Sequence, residues 1–71
     1  MDTKQIFKIL GLNVKKYRLL KKMKVKELAE LSHINFRYIY KIEKGLAYGI
    51  TTDQVFALSL ALNVESYKLI S

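Results

Sequence analysis

The sequence predicts a single small all-α domain that spans residues 1–71. Proline is absent and only three glycines occur, which favours long helices over turns and strands. The chain has no cysteine, so neither a disulfide nor a thiolate metal site can stabilise it. An apolar core alone must therefore hold a fold that is near the lower size limit for such stabilisation.

The first predicted helix has its body between Leu10 and Lys22. Its apolar side chains recur at helical spacing with lysines between them: Leu10, Val14, Tyr17 and either Leu20 or Lys21. Gly11 weakens a helix by about 1 kcal/mol relative to alanine. It therefore marks either a bend or a close contact with another helix.

Residues 1–9 are expected to extend this first helix towards the N-terminus. Asp2 or Thr3 can act as its N-cap, and Lys4 and Lys8 face away from the apolar side chains. Phe7 and Leu10 either pack on the domain or belong to a partner surface.

Two short helices joined by a tight turn are predicted over residues 25–44. The first of them carries a narrow apolar stripe made of Leu28, Ala29, Leu31 and Ser32. Because Ala29 is small, a second helix can cross the first at close range.

The second helix of this pair begins at a cap and has two different faces. Asn35 supplies an N-cap oxygen, and Ile34 and Ile39 have the spacing of a hydrophobic staple. Ile39 and Ile42 face inward, and Gly45 suits a left-handed helix terminus. The opposite face presents cations and aromatic rings: Phe36, Arg37, Tyr40, Lys41 and Lys44. Such a face is suited to binding another molecule.

The remainder of the chain predicts two further helices. Thr51 and Gln54 have the spacing of a capping box at the start of a helix over about 52–62. Asn63 can end this helix in a left-handed conformation. A short fifth helix is predicted over about 65–70.

The positive charge of the chain is concentrated in one region. Ten lysines and arginines lie between Asn13 and Lys44 against three glutamates, and this window accounts for the whole net charge of +7. This distribution is typical of a surface that binds phosphate. The alternative is an ordinary solvated lysine face.

The two short helices predicted over residues 25–44 resemble the helix-turn-helix of the phage-repressor (Xre/Cro/C1-like) DNA-binding domains. The matching residues are Glu27–Glu30, Ile34–Asn35 at the turn and Tyr38–Gly45, and the resemblance extends from about Leu10 to Ile70. It implies a compact five-helix lambda-repressor-like fold in which helices 2 and 3 form the helix-turn-helix.

The chain departs from the family pattern at two positions. His33 stands in the turn where the family usually has glycine, and Val25 opens the first helix of the motif where it usually has glutamine. His33 is the only histidine and has no other metal ligands at suitable spacing, so we interpret it as a turn residue, with left-handed geometry.

The resemblance implies a sequence-specific transcriptional regulator of double-stranded DNA, most simply a repressor, that reads the major groove with helix 3. The implied base-reading residues are Phe36, Arg37 and Lys41, and the implied phosphate contacts are Lys24, Lys26, Tyr40, Lys44 and Tyr48. For Phe36 the alternative is a core or dimer contact. Tyr38 belongs either to the core or to the phosphate contacts, and the sequence does not distinguish the two roles.

The resemblance also implies an ion pair between Arg18 and Glu43 that braces helix 1 against helix 3, although both can instead be free surface charges. The family commonly binds two-fold related half-sites as a homodimer. Just over half of the chain is apolar, more than a core of this size readily buries. The expected dimer surface consists of Phe56, Leu60, Tyr67, Leu69 and Ile70.

Other classes of function find less support in the sequence. No nucleophile–base pairing or phosphate-binding glycine loop occurs, so we expect no enzyme activity, cofactor or metal, and no small-molecule ligand is evident. No run is long enough to span a membrane and no signal peptide is visible, so a cytoplasmic protein is expected. A helical protein-interaction module, or an antitoxin-like partner binder with weak DNA binding, is the main alternative, and an RNA binder is a second. A phage-type repressor, a restriction–modification controller and an antitoxin-like autorepressor are not distinguished.

Overall fold

The computed structural model describes residues 3–71, and these form four α-helices followed by one short 3-10 helix. The helices are α1 (Thr3–Leu20), α2 (Val25–Ser32), α3 (Phe36–Glu43), α4 (Thr52–Leu62) and the 3-10 helix (Ser66–Leu69). This confirms the all-α prediction, and the first helix does extend into residues 3–9. The suggested cap at Asp2 lies outside the described residues.

The core lies where α1 crosses α3 and where α2 packs on both α3 and α4. Every helix contributes to it, and the 3-10 helix closes it against α1 and α4. The buried apolar residues are Leu10, Val14, Val25, Leu28, Ile34, Ile39, Ile42, Ala47, Leu58, Leu62 and Leu69. Complete burial of one such leucine or isoleucine contributes about 1.5–3 kcal/mol.

Leu31 does not belong to the apolar stripe of α2, which corrects the prediction. Its side chain is 58% exposed, whereas α2 buries Val25, Leu28 and Ser32. The reason is geometric, since α3 and α4 both cover the same side of this short helix and Leu31 points to the other side. Leu20, at the end of α1, is exposed in the same way, and Met23 packs against the core edge instead.

The segment after α4, where a short fifth helix is predicted over about 65–70, forms a four-residue 3-10 helix. Within it the Lys68 N–H donates to the Glu65 carbonyl at 3.0 Å, a bond between residues three apart. A segment this short does not propagate the hydrogen bonds between residues four apart that define an α-helix. Leu69 is 0% exposed in the core, so its assignment to the dimer surface is wrong. Asn13 of α1 fixes it there by donating from Nδ2 to the Leu69 carbonyl, at 2.9 Å.

All four α-helices end in the same hydrogen-bonded motif, a residue with positive φ followed by a bond that spans six residues. In α2, for example, His33 has φ 57° and the Ile34 N–H donates to the Ala29 carbonyl at 3.1 Å. The four left-handed residues are Lys22, His33, Gly45 and Asn63. The conformations predicted for His33, Gly45 and Asn63 are thus confirmed, whereas Lys22 carries no sequence signal for it.

The predicted N-caps of α3 and α4 are also present. Asn35 Oδ1 accepts from the Arg37 N–H at 2.8 Å. Thr51 Oγ1 accepts from the Gln54 N–H at 3.1 Å, and Gln54 Oε1 accepts from the Thr51 N–H at 3.0 Å. These caps fix where the two helices begin, and hence how the turn of the helix-turn-helix enters α3.

Candidate nucleic-acid interface

The helix α3 presents one face to the core and the other to solvent. Ile39 and Ile42 are completely buried. The opposite face is exposed and carries the cations of the helix and its C-cap together with two aromatic rings: Arg37, Lys41, Lys44, Phe36 and Tyr40. The three residues predicted to read bases therefore lie on a single exposed surface, with Phe36 and Arg37 in its first turn.

An ion pair fixes the C-terminal end of α3 to α1. Arg18 donates from Nε to Glu43 Oε2 at 2.7 Å and from Nη2 to Oε1 at 3.0 Å, and the two side chains are only 11% and 7% exposed. Arg18 Nη1 also donates to the Met23 carbonyl at 3.0 Å. Hydrogen bonding to the Glu43 carboxylate raises the pKa of Arg18, while burial acts in the opposite direction. One guanidinium thus joins α1, the loop after it and α3.

A backbone contact fixes the distance between α1 and α3. A Cβ atom placed on Gly11 would lie 2.3 Å from the Ile42 carbonyl oxygen and 2.9 Å from that of Glu43. No side chain fits at this crossing, so the glycine is required for close approach and not for a bend. The depth at which α3 sits on the domain is set at this point.

Phe36 lies at the centre of a small cluster of cations and rings on the exposed surface. Lys26 Nζ and Arg37 Cζ each lie 5.8 Å from the centroid of its ring. The Tyr40 ring meets it edge to face, with centroids 6.4 Å apart. Cation–π attraction of this kind is worth about 0.5–1 kcal/mol at an exposed site. The ring therefore holds cations of α2 and α3 on one side of the molecule, outside the core.

The residues predicted to bind phosphate fall into two groups. Lys24, Lys26 and Tyr40 line an open hollow of about 400 Å³ at the start of α2, together with Arg18 and Val25. Lysine offers no acceptor for capping, and only Glu27 closes this helix start, by accepting from the Lys24 N–H at 3.3 Å. The second group, Lys44 and Tyr48, follows the C-terminal end of α3. Tyr38, left open by the sequence, is half-buried against the core.

Tyr48 makes a contact that the sequence did not predict. Its ring meets Phe7 of α1 edge to face with centroids 5.2 Å apart, and Lys4 Nζ lies 5.9 Å from the centroid of the same ring. No local pattern joins these residues, because they are far apart in the chain and come together only when α1 crosses α3.

A second, apolar surface is formed by residues of α4 and the C-terminal segment, which follow α3 in the chain. Phe56, Leu60, Tyr67 and Ile70 are each more than half exposed. Phe56 and Leu60 border a shallow groove of about 390 Å³ that continues along Val64. Four of the five residues predicted to form a dimer surface are thus available at the surface, and Leu69 is not.

Residues 3–71 lack two features, a cluster of metal-ligating side chains and a helix that could cross a membrane. No group of three or more His, Cys, Asp or Glu side chains in this part of the chain lies close enough to hold a metal ion. Nor does any helix within it combine the length and apolarity needed to cross a membrane.

Two helices of eight residues joined by a tight turn, the second with an exposed basic face, define a helix-turn-helix protein. The sequence model of the helix-turn-helix family matches residues 14–69, and the chain belongs to this family. It is of the Xre/Cro/C1 type, whose members are DNA-binding transcription regulators. No curated protein matches the sequence significantly.

Solved structures share the fold at low sequence identity. The restriction–modification controller protein C.AhdI from Aeromonas hydrophila is 24% identical with a TM-score of 0.84, over 89% of this chain and 94% of that one. The clp gene regulator ClgR from C. glutamicum is 22% identical with a TM-score of 0.82, over 90% and 82%. The hypothetical transcription factor NHTF from Neisseria is 22% identical with a TM-score of 0.87, over 100% and 82%.

Proposed function

We propose that this protein is a transcriptional repressor that binds double-stranded DNA as a homodimer on an inverted repeat and reads the major groove with α3. The observation behind the proposal is the two-sided character of α3. One face is buried and held by Gly11 and the Arg18–Glu43 pair, and the other presents cations and rings to solvent. A rigid helix with an exposed basic face is what major-groove reading requires.

Arg37 is the principal base-reading residue of the proposal. It lies in the first turn of α3, where a helix-turn-helix approaches base edges, and its guanidinium can donate two hydrogen bonds to guanine O6 and N7. Such a pair is worth about 1–3 kcal/mol of discrimination. Lys41, one turn further on, reaches a base edge or a phosphate, and the ring of Phe36 meets a thymine methyl group.

The phosphate contacts supply affinity and are arranged on both sides of α3. Lys24, Lys26 and Tyr40 belong to the hollow beside α2, and Lys44 and Tyr48 to the segment after α3. This arrangement supports contacts with the two strands that border one major groove. Three lysines per protomer would give a dimer a salt slope of about −5 from these contacts, at roughly 0.9 per phosphate.

The dimer is proposed to form through the exposed apolar surface of α4 and the C-terminal segment, consisting of Phe56, Leu60, Tyr67 and Ile70. A two-fold interface uses the same patch on both subunits, and such a dimer spaces its recognition helices about one DNA turn apart. Replacing Leu60 by Glu should convert the dimer to a monomer in sedimentation velocity, because two carboxylates would face each other. A monomeric wild type at micromolar concentration would contradict the dimer.

The proposal is tested by selecting bound duplexes from a random pool. We expect an enriched inverted repeat, and we expect Arg37→Ala to lose it. The matched control is Lys16→Ala, which removes an exposed cation from the side of α1 that carries the exposed Leu12 and Leu19, and it should keep the same repeat. Binding without enrichment would contradict the proposal and favour the protein-interaction or antitoxin-like alternative. A preference for single strands would favour RNA binding.

A further inference from the structure

The first turns of α1 form an N-terminal extension that precedes residues 14–69, which the family model matches. The family match begins at residue 14, whereas α1 begins at Thr3. The extension, residues 3–13, does not project away from the domain. It lies against the segment Gly45–Tyr48, directly after the recognition helix.

Three contacts establish how the extension lies. The Phe7 and Tyr48 rings meet edge to face with centroids 5.2 Å apart. The Cα atom of Lys8 lies 3.0 Å, and its Cγ atom 3.1 Å, from the position that a Cβ on Gly45 would occupy. Lys4 Nζ lies 5.9 Å from the centroid of the Tyr48 ring. Because Lys4 and Lys8 are one helical turn apart, both belong to the same side of α1, beside this segment.

Residues 3–13 carry positive charges, and neither they nor the segment that they lie against carries an acidic side chain. Residues 3–26 contain no aspartate or glutamate, and neither does the segment 44–50. Glu43, the nearest acid in the chain to that segment, is neutralised by Arg18. Lys4 and Lys8 are exposed, and Lys44, which the proposed function assigns to phosphate, precedes Gly45 directly. The extension therefore enlarges the positive surface at one end of α3.

We infer that the N-terminal extension of α1 is an additional DNA-backbone contact, in which Lys4 and Lys8 bind phosphates next to those bound by Lys44 and Tyr48. The inference rests on the proposed function and extends its footprint beyond the helix-turn-helix. Tyr48 has two roles in this proposal. Its ring contacts Phe7 and Lys4, and its hydroxyl binds the DNA backbone. The contact adds affinity and salt dependence without reading sequence.

The test is a salt titration of the double variant Lys4→Gln/Lys8→Gln on the duplex enriched by the wild-type protein. Glutamine keeps the Cβ and Cγ atoms, which preserves the contact of Lys8 with Gly45, and it removes the two charges together with the cation–π contact of Lys4 with Tyr48. The matched control is Lys16→Gln/Lys68→Gln, which removes the same charge from exposed positions, neither of which lies on the side of α1 that carries Lys4 and Lys8. Circular dichroism should give the two variants the same melting temperature, because each loses one exposed cation–π contact, Lys4–Tyr48 or Lys16–Tyr17.

We expect the extension variant to lower the salt slope by about 0.9 for each lysine in each protomer, roughly 3–4 in a dimer, and to leave the selected sequence unchanged. Hydroxyl-radical footprints should lose protection at backbone positions that the control variant still protects. A slope and a footprint equal to those of the control would overturn the inference while leaving the proposed function intact. A wild-type protein that enriches no duplex would overturn both.

Discussion

Replacing Gly11 by alanine changes the stability of the protein through two opposing effects, a gain in helix propensity and a loss of packing. In an exposed helix interior, alanine is more favourable than glycine by about 1 kcal/mol, so propensity alone predicts a more stable protein. At this position the new Cβ would lie 2.3 Å from the Ile42 carbonyl oxygen and 3.0 Å from the Gly45 nitrogen. These are backbone atoms, which cannot rotate away, so α1 and α3 must separate.

The size of the effect follows from that separation. Ordinary contact at 3.4 Å or more requires a movement of about 1 Å, and overpacking of this kind costs about 1–3 kcal/mol. The same movement lengthens the Arg18–Glu43 hydrogen bonds, whose complete loss from a buried site costs about 3–5 kcal/mol. After subtracting the gain in propensity we expect a net destabilisation of about 2–4 kcal/mol. For a domain of this size, that lowers Tm by about 10–25 °C.

Thermal and urea unfolding followed by circular dichroism measure this directly. Gly49→Ala is the matched control, because no atom lies within 4 Å of the added Cβ, and it should be neutral or slightly stabilising. Leu12→Ala, an exposed neighbour on α1, should also have little effect. A Gly11→Ala protein as stable as the wild type would refute the conclusion that backbone contact fixes α3.

Three further substitutions test the helix ends and the ion pair. Arg18→Met should destabilise by about 3 kcal/mol because it leaves the Glu43 carboxylate mostly buried without a partner, and Arg18→Met/Glu43→Leu should recover part of the loss in urea unfolding. His33→Gly should raise Tm, since removing the strain of a left-handed non-glycine residue outweighs the added chain entropy by about 0.5–1 kcal/mol; an unchanged or lower Tm would contradict this. Asn35→Ala should cost about 1 kcal/mol by removing the cap on the Arg37 N–H, and equal stability would show that solvent replaces this hydrogen bond fully.

The features that the sequence predicted well are those whose partners lie within one helical turn of each other. The Thr51–Gln54 capping box and the Asn35 cap each join residues two or three positions apart, so both members of the interaction are visible in a short window. Gly45 and Asn63 carry a backbone preference of their own. The Arg18–Glu43 pair joins distant residues, and it was expected only because the family resemblance supplied the pairing.

The features that the sequence did not predict depend on how complete helices meet. Periodicity gives the spacing of an apolar face but not its centre, which is how Leu31 was assigned to the core in error. Leu69 was assigned to the surface together with its neighbours Tyr67 and Ile70, whereas in the 3-10 helix this side chain lies in the core. The Phe7–Tyr48 contact depends on the crossing of α1 over α3, and no composition or spacing in either segment indicates it.

Base reading by Arg37 is tested most directly by a double-mutant cycle between protein and DNA. The dissociation constants of the wild-type and Arg37→Ala proteins are measured on the selected duplex and on duplexes in which each G·C pair is replaced in turn. We predict one position in each half-site where replacement costs the wild type about 1–3 kcal/mol and costs Arg37→Ala almost nothing. Equal penalties for both proteins at every position would contradict major-groove reading by α3.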